Sequence, residues 1–208
     1  MSAPAPSPLR EAAKRAVRAA ALVLVFPLLL DYWLWSRVFG RHTAFRGIVQ
    51  VASLFPGLPG MYLRGALLRQ VLADCHPSAC VEFGVLFSEP GATLGAGVYV
   101  GPRCILGLVR VEKDALIASG VQIPSGAKTH HFDDPDVPIR DQGGEVQCVT
   151  IGEGAWIGAG AIVLADVGKG TVVAAGSVVT KPLPEFVVAA GVPAKVIRQR
   201  FGGGEPDA

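Results

Sequence analysis

Between Val149 and Lys181 the chain keeps a beat of six. Ile151, Ile157 and Val163 fall six apart, and Gly152 and Gly158 follow the first two. Four places after each apolar residue stand Ala155, Ala161 and Val167. After a shortened step the beat resumes at Val173 and Val179. A strand repeats every two residues and a helix about every 3.6, so neither alone yields a period of six. A short strand plus a tight corner, stacked as a solenoid, does. In this reading the apolar residue points into a narrow prism, the glycine permits the bend, and the small residue fits beside the corner.

The same beat runs upstream. Leu94, Val100 and Leu106 are each followed by glycine, with Val98 and Cys104 four places after the first two. Val111, Ile117 and Ile123 continue it one residue early, so a corner near 108–110 is one residue short. A second corner, between Val163 and Val173, is two short. The spacing predicts a mainly β solenoid domain over residues 81–200, with about four coils of roughly eighteen residues. Slips of this kind mark bulges or a wall shaped for a ligand.

One stretch abandons the beat. Residues 124–148 read PSGAKTHHFDDPDVPIRDQGGEVQC, too long for a corner and too polar for a core. A long excursion from a rigid scaffold is where function concentrates. After Lys181, Pro182 and Pro184 end the last strand, and a short C-terminal cap carries Lys195, Arg198 and Arg200.

The N-terminal part differs in kind. Residues 1–9 are Pro-, Ser- and Ala-rich and read as disordered, as does the loose tail 201–208. Residues 10–80 form a helical segment that either associates with a membrane or packs on the solenoid or on a neighbouring subunit. Its apolar run from Ala19 to Leu30 is followed by Asp31 and then by Tyr32, Trp33 and Trp35. No small-residue cleavage site follows, which argues against a signal peptide. A spanning helix needs roughly 20 apolar residues, and Pro27 and Asp31 intrude. An interfacial helix with a basic flank and aromatic anchors fits better. Residues 1–46 carry seven basic and two acidic side chains, a balance suited to an anionic membrane face and to peripheral contact through residues 10–46. Beyond the break at PGLPG (56–60), a helix is expected from about Met61 to Ala73.

Composition narrows the functional classes. A net charge of +2 gives no footprint for nucleic acid. Without a cleavable signal, Cys75, Cys80, Cys104 and Cys148 read as reduced thiols, Cys104 as a buried one. Cys75 and Cys80 lack the second pair that a zinc site needs, so no metal is expected.

Three segments together, IGEGAWIGAGAIV, VVAAGSVVTK and AAGVPAKVIR, resemble the hexapeptide-repeat acyltransferases. The resemblance covers about residues 81–200 and is nearest the sugar O-acetyltransferases of the galactoside/maltose and colanic-acid types. LFPGLPGMYLRGALLRQVL also resembles the lead-in of the exopolysaccharide subgroup. The resemblance implies a left-handed parallel β-helix, a homotrimer, and acetyl-CoA as donor. The hand rests on the family alone, since parallel crossovers are right-handed in about 98% of cases. It also implies a cytoplasmic enzyme, at the inner face of the membrane if the N-terminal segment binds there, acting in exopolysaccharide or cell-surface glycan synthesis.

By the same resemblance the general base is His130, of the Thr129-His130 pair ahead of an acidic stretch, with His131 the alternative one place on. Asp133 and Asp134, with Asp136, would hydrogen-bond acceptor hydroxyls or orient the imidazole; as members of an acidic loop they equally suit a solvated surface. Ala159 and Ala175 would offer backbone contacts to the pantetheine arm. Thr180, Lys181, Lys195 and Arg198 would meet the phosphate and adenine end. Some relatives carry Arg where this chain has Lys195. The chemistry is coherent on its own terms: a hydroxyl needs a base near neutral pH, a thioester is already activated, and no enzyme nucleophile is required. Two other readings use the same scaffold. A γ-type carbonic anhydrase needs three converging imidazoles, and no H-x4-H pair exists here. A non-catalytic trimeric scaffold needs no CoA.

Overall fold

The computed structural model describes residues 8–201; the remainder of the N-terminal stretch and of the tail lie outside the described residues. Three helices precede the solenoid: α1 (Pro8–Phe39), α2 (Arg41–Ser53) and α3 (Gly57–Val71). Pro8 suits the first turn, where its missing N–H is not needed. Residues 8 and 9, expected to be disordered, belong to this helix. Pro27 lies inside α1 without ending it, and Asp31 accepts a hydrogen bond from Trp35 Nε1 one turn on (2.9 Å). PGLPG does not simply break the second apolar segment. Pro56 caps α3 and Gly57 opens it, four residues before the expected start at Met61, and Pro59 falls in the first turn.

The solenoid follows in regular turns. The first contains β1 (Asp74–Cys75), β2 (Cys80–Val81) and β3 (Leu86–Phe87); the second β4 (Thr93–Leu94), β5 (Tyr99–Val100) and β6 (Ile105–Leu106). The third contains β7 (Val109–Val111), β8 (Leu116–Ile117) and β9 (Gln122–Ile123); the fourth β10 (Val149–Ile151), β11 (Trp156–Ile157) and β12 (Ile162–Val163). The fifth contains a bridge at Val167, then β13 (Val172–Val173) and β14 (Val178–Val179). A sixth opens at Leu183 and runs into β15 (Val187–Gly191), on which β16 (Ala194–Gln199) folds back antiparallel. The first coil therefore starts at Asp74 rather than near Val81, and there are about six turns rather than four. The missed coils are those whose inward positions vary most in size, from Cys75 to Phe87 at one end and from Leu183 to Ala189 at the other.

Parallel pairing between coils builds three faces. The inward side chains stack along each: Leu94, Val111, Ile151 and Val167 on the first; Val100, Ile117, Ile157 and Val173 on the second; Leu106, Ile123, Val163 and Val179 on the third. All are 1% exposed or less. Val167 thus belongs to the first-face stack, bridged to Ile151 and Leu183, and not to the corner-filling set with Ala155 and Ala161. The step between the third and first faces absorbs every irregularity in the beat. It takes seven residues from Phe87 to Leu94, five from Leu106 to Val111, and four from Val163 to Val167.

The glycine after each inward residue has a different task from the one expected. A Cβ on Gly158 would run into the backbone of Ala174 and Ala175 in the next coil. Close approach of neighbouring coils therefore requires it. The bend is made two residues on, where Gly160 holds φ +67.

One side chain joins the helices to the prism. Arg64 is 1% exposed. Its Nε donates to the Val81 carbonyl (3.1 Å) and its Nη1 to the Phe55 carbonyl, while Nη2 has no partner. Burial lowers the proton affinity of the guanidinium, and Glu82 and then Cys80 oppose that. The group stays charged because its affinity starts so high. Gly60 has no Cβ because the Phe55 carbonyl occupies that space. The α2–α3 corner, α3 and the first coil are thereby held as one unit.

Arg64→Ala strands the buried Val81 carbonyl and the partly buried Phe55 carbonyl, and each charge-assisted bond of this kind contributes about 1.5–3 kcal/mol. Urea unfolding should show a loss of roughly 3 kcal/mol or more. Gly158→Ala should cost roughly 1–3 kcal/mol by forcing two coils apart, visible as a lower melting temperature. Gly154→Ala, where nothing lies within 4 Å, should lose only what its φ of +63 imposes, about 1–2 kcal/mol.

Candidate active site

The excursion leaves the solenoid at the third-to-first corner, between Ile123 and Val149. Ser125 secures its root: the hydroxyl is buried and accepts the Leu108 N–H at 2.8 Å. Gly126 turns the chain outward at φ +87. The two arms then pair. Gln147 N–H donates to the Ser125 carbonyl (2.8 Å), Glu145 N–H to Lys128 (2.8 Å), and His131 N–H to Gly143 (3.0 Å). Gly144 packs against the backbone of Thr129 and His130 with no room for a side chain. Gln142 closes the tip. Its Nε2 donates to the carbonyls of Asp134 (2.7 Å) and Val137 (2.6 Å), and its Oε1 accepts the Asp134 N–H (3.1 Å). The excursion is therefore a braced hairpin.

His130 stands on this hairpin with its side chain exposed, and His131 is half-buried. Asp133 and Asp134 lie just beyond, also exposed. One oxygen of Asp134 is already used, accepting the Asp136 N–H at 2.9 Å. A cleft of about 310 Å³ lies at the hairpin's root against the third face. Thr129, Pro124 and Val146 form its hairpin side, Ile105 and Gln122 its floor. Ser88 and Glu89, from the same corner two coils earlier, close it. Sequence reading passed over Glu89. Its signal was the seven-residue step from Phe87 to Leu94, which places an extra polar residue on the same edge as the excursion. Glu89 also faces His42 Nδ1 of α2 at 3.6 Å.

The remaining histidines and the thiols have other surroundings. His76 Nδ1 contacts Ser78 Oγ at 2.8 Å at a first-coil corner. All four cysteines are free. Burial pushes the Cys75 thiol up to about 11 and raises Cys104, whose Sγ contacts the Ala118 carbonyl at 3.0 Å. Neither is an activated nucleophile. Cys148 is exposed at the end of the excursion. Among the described residues no three His, Cys, Asp or Glu side chains gather as a metal would need.

The residues assigned to CoA fall in three places. Ala159 and Ala175 stack at the second-to-third corner, where Gly176 N–H donates to the Ala159 carbonyl (2.9 Å). That carbonyl is used within the solenoid. Thr180 and Lys181 lie at the third-to-first corner, two coils along from the excursion, a separation on the order of 10 Å. Lys195 and Arg198 are exposed on β16, opposite Ala190 and Val188. Among the described residues no carboxylate pairs with Lys181, Lys195 or Arg198. Within one chain, then, the histidine and two of these residues share an edge, and the alanines occupy the opposite edge of the third face.

No protein-family model matches the chain. It is 31% identical to the serine acetyltransferase of Haemophilus influenzae over 141 residues, 67% of this chain but 44% of that enzyme, so it spans less than half of that relative. A solved galactoside acetyltransferase in complex with coenzyme A superimposes with a TM-score of 0.56 at 26% identity, covering 74% of this chain and 78% of that one. The galactoside O-acetyltransferase of Escherichia coli K12 is 31% identical over 170 residues, 69% of this chain and 81% of that protein. A likeness of that extent to an acetyltransferase, on a prism built of six-residue steps that carries a histidine-bearing hairpin, places this chain in the hexapeptide-repeat acetyltransferases, the left-handed parallel β-helix family.

Proposed function

We propose that the protein transfers an acetyl group from acetyl-CoA to a saccharide hydroxyl, with His130 as general base. The observation that carries this reading is an exposed imidazole held on a braced hairpin, next to Thr129 of a cleft that also holds Ser88 and Glu89. The hairpin limits where the ring can go, and a base must be within hydrogen-bond reach of the proton it takes. As the acceptor oxygen attacks the thioester carbonyl, His130 takes the hydroxyl proton. The imidazolium then returns that proton to the departing thiolate. Backbone N–H groups of a neighbouring coil corner supply the oxyanion contacts. Asp133 and the free oxygen of Asp134 bind acceptor hydroxyls, and Glu89 extends that polar wall.

Assembly as a homotrimer belongs to the same reading. Leu116 and Trp156 on the second face are 43% and 51% exposed, and Ile105 on the third is 49% exposed. A three-fold assembly would cover such faces. It would also set the His130 edge of one protomer against the Ala159–Ala175 edge of the next, joining residues that one chain keeps apart. Lys181, Lys195 and Arg198 then meet the phosphates of CoA, a donor that situates the reaction in the cytoplasm. A carbohydrate acceptor in glycan synthesis is the preferred class, because Ser88, Glu89, Gln122 and Thr129 set hydrogen-bonding groups for hydroxyls into an otherwise apolar cleft. The likeness to serine acetyltransferases makes serine the alternative acceptor.

Turnover of acetyl-CoA against a panel of saccharides and serine, read by mass spectrometry, tests the acceptor class. Acetylation of serine alone would reject the saccharide. His130→Ala should lower kcat by about 10²–10⁴-fold with melting temperature unchanged, whereas His131→Ala should keep most activity. Full turnover in the double variant would remove the base mechanism. Lys195→Ala with Arg198→Ala should raise the KM for acetyl-CoA roughly tenfold or more while leaving kcat within a few-fold.

A further inference from the structure

The helical cap carries surface that acetyl transfer does not use. Along α1, Ala21, Val25, Leu29 and Tyr32 are buried against α2 and α3. The opposite face carries Val23 (73% exposed), Leu30, Leu34 (62%) and Val38, flanked by Phe26 and Trp33. At 1.5 Å per residue, Val23 to Val38 forms an apolar ridge about 22 Å long. Ala12–Phe39 is long and apolar enough to cross a bilayer by length and composition, yet only 22% of its 18-residue apolar window is buried. Exposed apolar surface on this scale marks an interaction site.

The occupant is indicated by what lies along the α1–α3 seam, on the side of α1 away from the ridge. A groove of about 320 Å³ runs between α1 and α3, walled by Val17, Leu24, Leu58 and Leu63. Tyr62 also lines a second cleft of about 170 Å³, whose walls include Lys14, Arg18 and Arg69. Burial, opposed by Cys75 and reinforced by Arg18, lowers the proton affinity of Arg69. Two partly buried guanidiniums side by side, at the end of an apolar groove, match a phosphate attached to a hydrocarbon chain.

We propose that the cap docks on an anionic phospholipid bilayer, with the α1 ridge facing the acyl chains of one leaflet and a lipid phosphate met on the headgroup side of α1 by Arg18 and Arg69. Docking flat, rather than spanning, follows from the packing. One stripe of α1 packs on α2 and α3, whose Arg46, Arg64 and Arg69 would otherwise enter hydrocarbon. The aromatic end of α1 leads directly into α2, whose His42 faces Glu89 of the acceptor cleft. Docking therefore brings that cleft toward the membrane surface. This inference concerns lipid binding alone and does not depend on the acetyl-transfer reading.

The test is co-sedimentation of the full chain with vesicles of phosphatidylcholine, with and without phosphatidylglycerol. Binding should require phosphatidylglycerol and be reversed by alkaline carbonate. Arg18→Gln with Arg69→Gln should weaken it roughly thirtyfold, taking each basic residue at about fivefold. Leu30→Glu with Leu34→Glu should abolish it, and because both side chains face outward the melting temperature should hold. Inorganic phosphate at matched ionic strength should leave the Leu30→Glu, Leu34→Glu variant in solution and only partly displace the native chain. Equal binding to neutral vesicles, resistance to carbonate, undiminished binding of either double variant, or a soluble oligomer that hides α1 and ignores vesicles would each overturn the proposal.

Discussion

A backbone stacked on itself must meet each amide with a carbonyl from the adjoining coil, and most of this molecule follows from that. Ile105 N–H reaches the Val121 carbonyl at 3.0 Å, Gln122 N–H reaches Ala161 at 2.9 Å, and Ile162 N–H reaches Ser177 at 2.8 Å. The ladder leaves an axis wide enough for one inward side chain per face. Aliphatic residues fill it because an unpartnered polar group there would find no water. The same closeness removes the Cβ from Gly158, where the next coil passes. A six-residue beat is the sequence form of these two demands.

Rigidity of that kind leaves one place for variation. The second face and its corners keep their register from β2 to β13, while the third-to-first step ranges from four residues to the whole excursion. A longer step at this edge disturbs neither the axis nor the ladder, since Ile123 and Ile151 hold their stacks on either side. Glu89, Thr129, His130 and Lys181 consequently lie along one edge although their sequence positions are far apart. The hairpin also does not flop from its root. Its rungs and the Gln142 clasp make it a stiff arm, which a base positioned for proton transfer requires.

The helical cap solves a different problem. The first coil has no preceding coil to cover it, and α2 and α3 take that role. Arg64 is the costly part of the solution, a buried cation satisfied by two carbonyls and by no direct carboxylate. With that joint rigid, the direction of α1 is set by the prism and not by the helix itself, and so is the direction of its apolar ridge.

Periodicity alone determined the solenoid, its apolar axis and the excursion at 124–148, because each is a repeat or the interruption of one; the helical N-terminal part was legible from its apolar run, basic flank and aromatic residues. Resemblance added the histidine. Coil number escaped because Cys75, Phe87, Leu183 and Ala189 differ too much in size to read as one stack, though register makes them equivalent. PGLPG read as a break because a proline forbids helix only past the first turn, and which turn it occupies depends on where α3 begins. The partnership of Glu89 with the cleft, the separation of Ala159 and Ala175 from His130, and the outward face of α1 were decided by tertiary structure. All three depend on which corner or side of an element a residue occupies, and that is fixed by stacking and docking between segments distant in the chain.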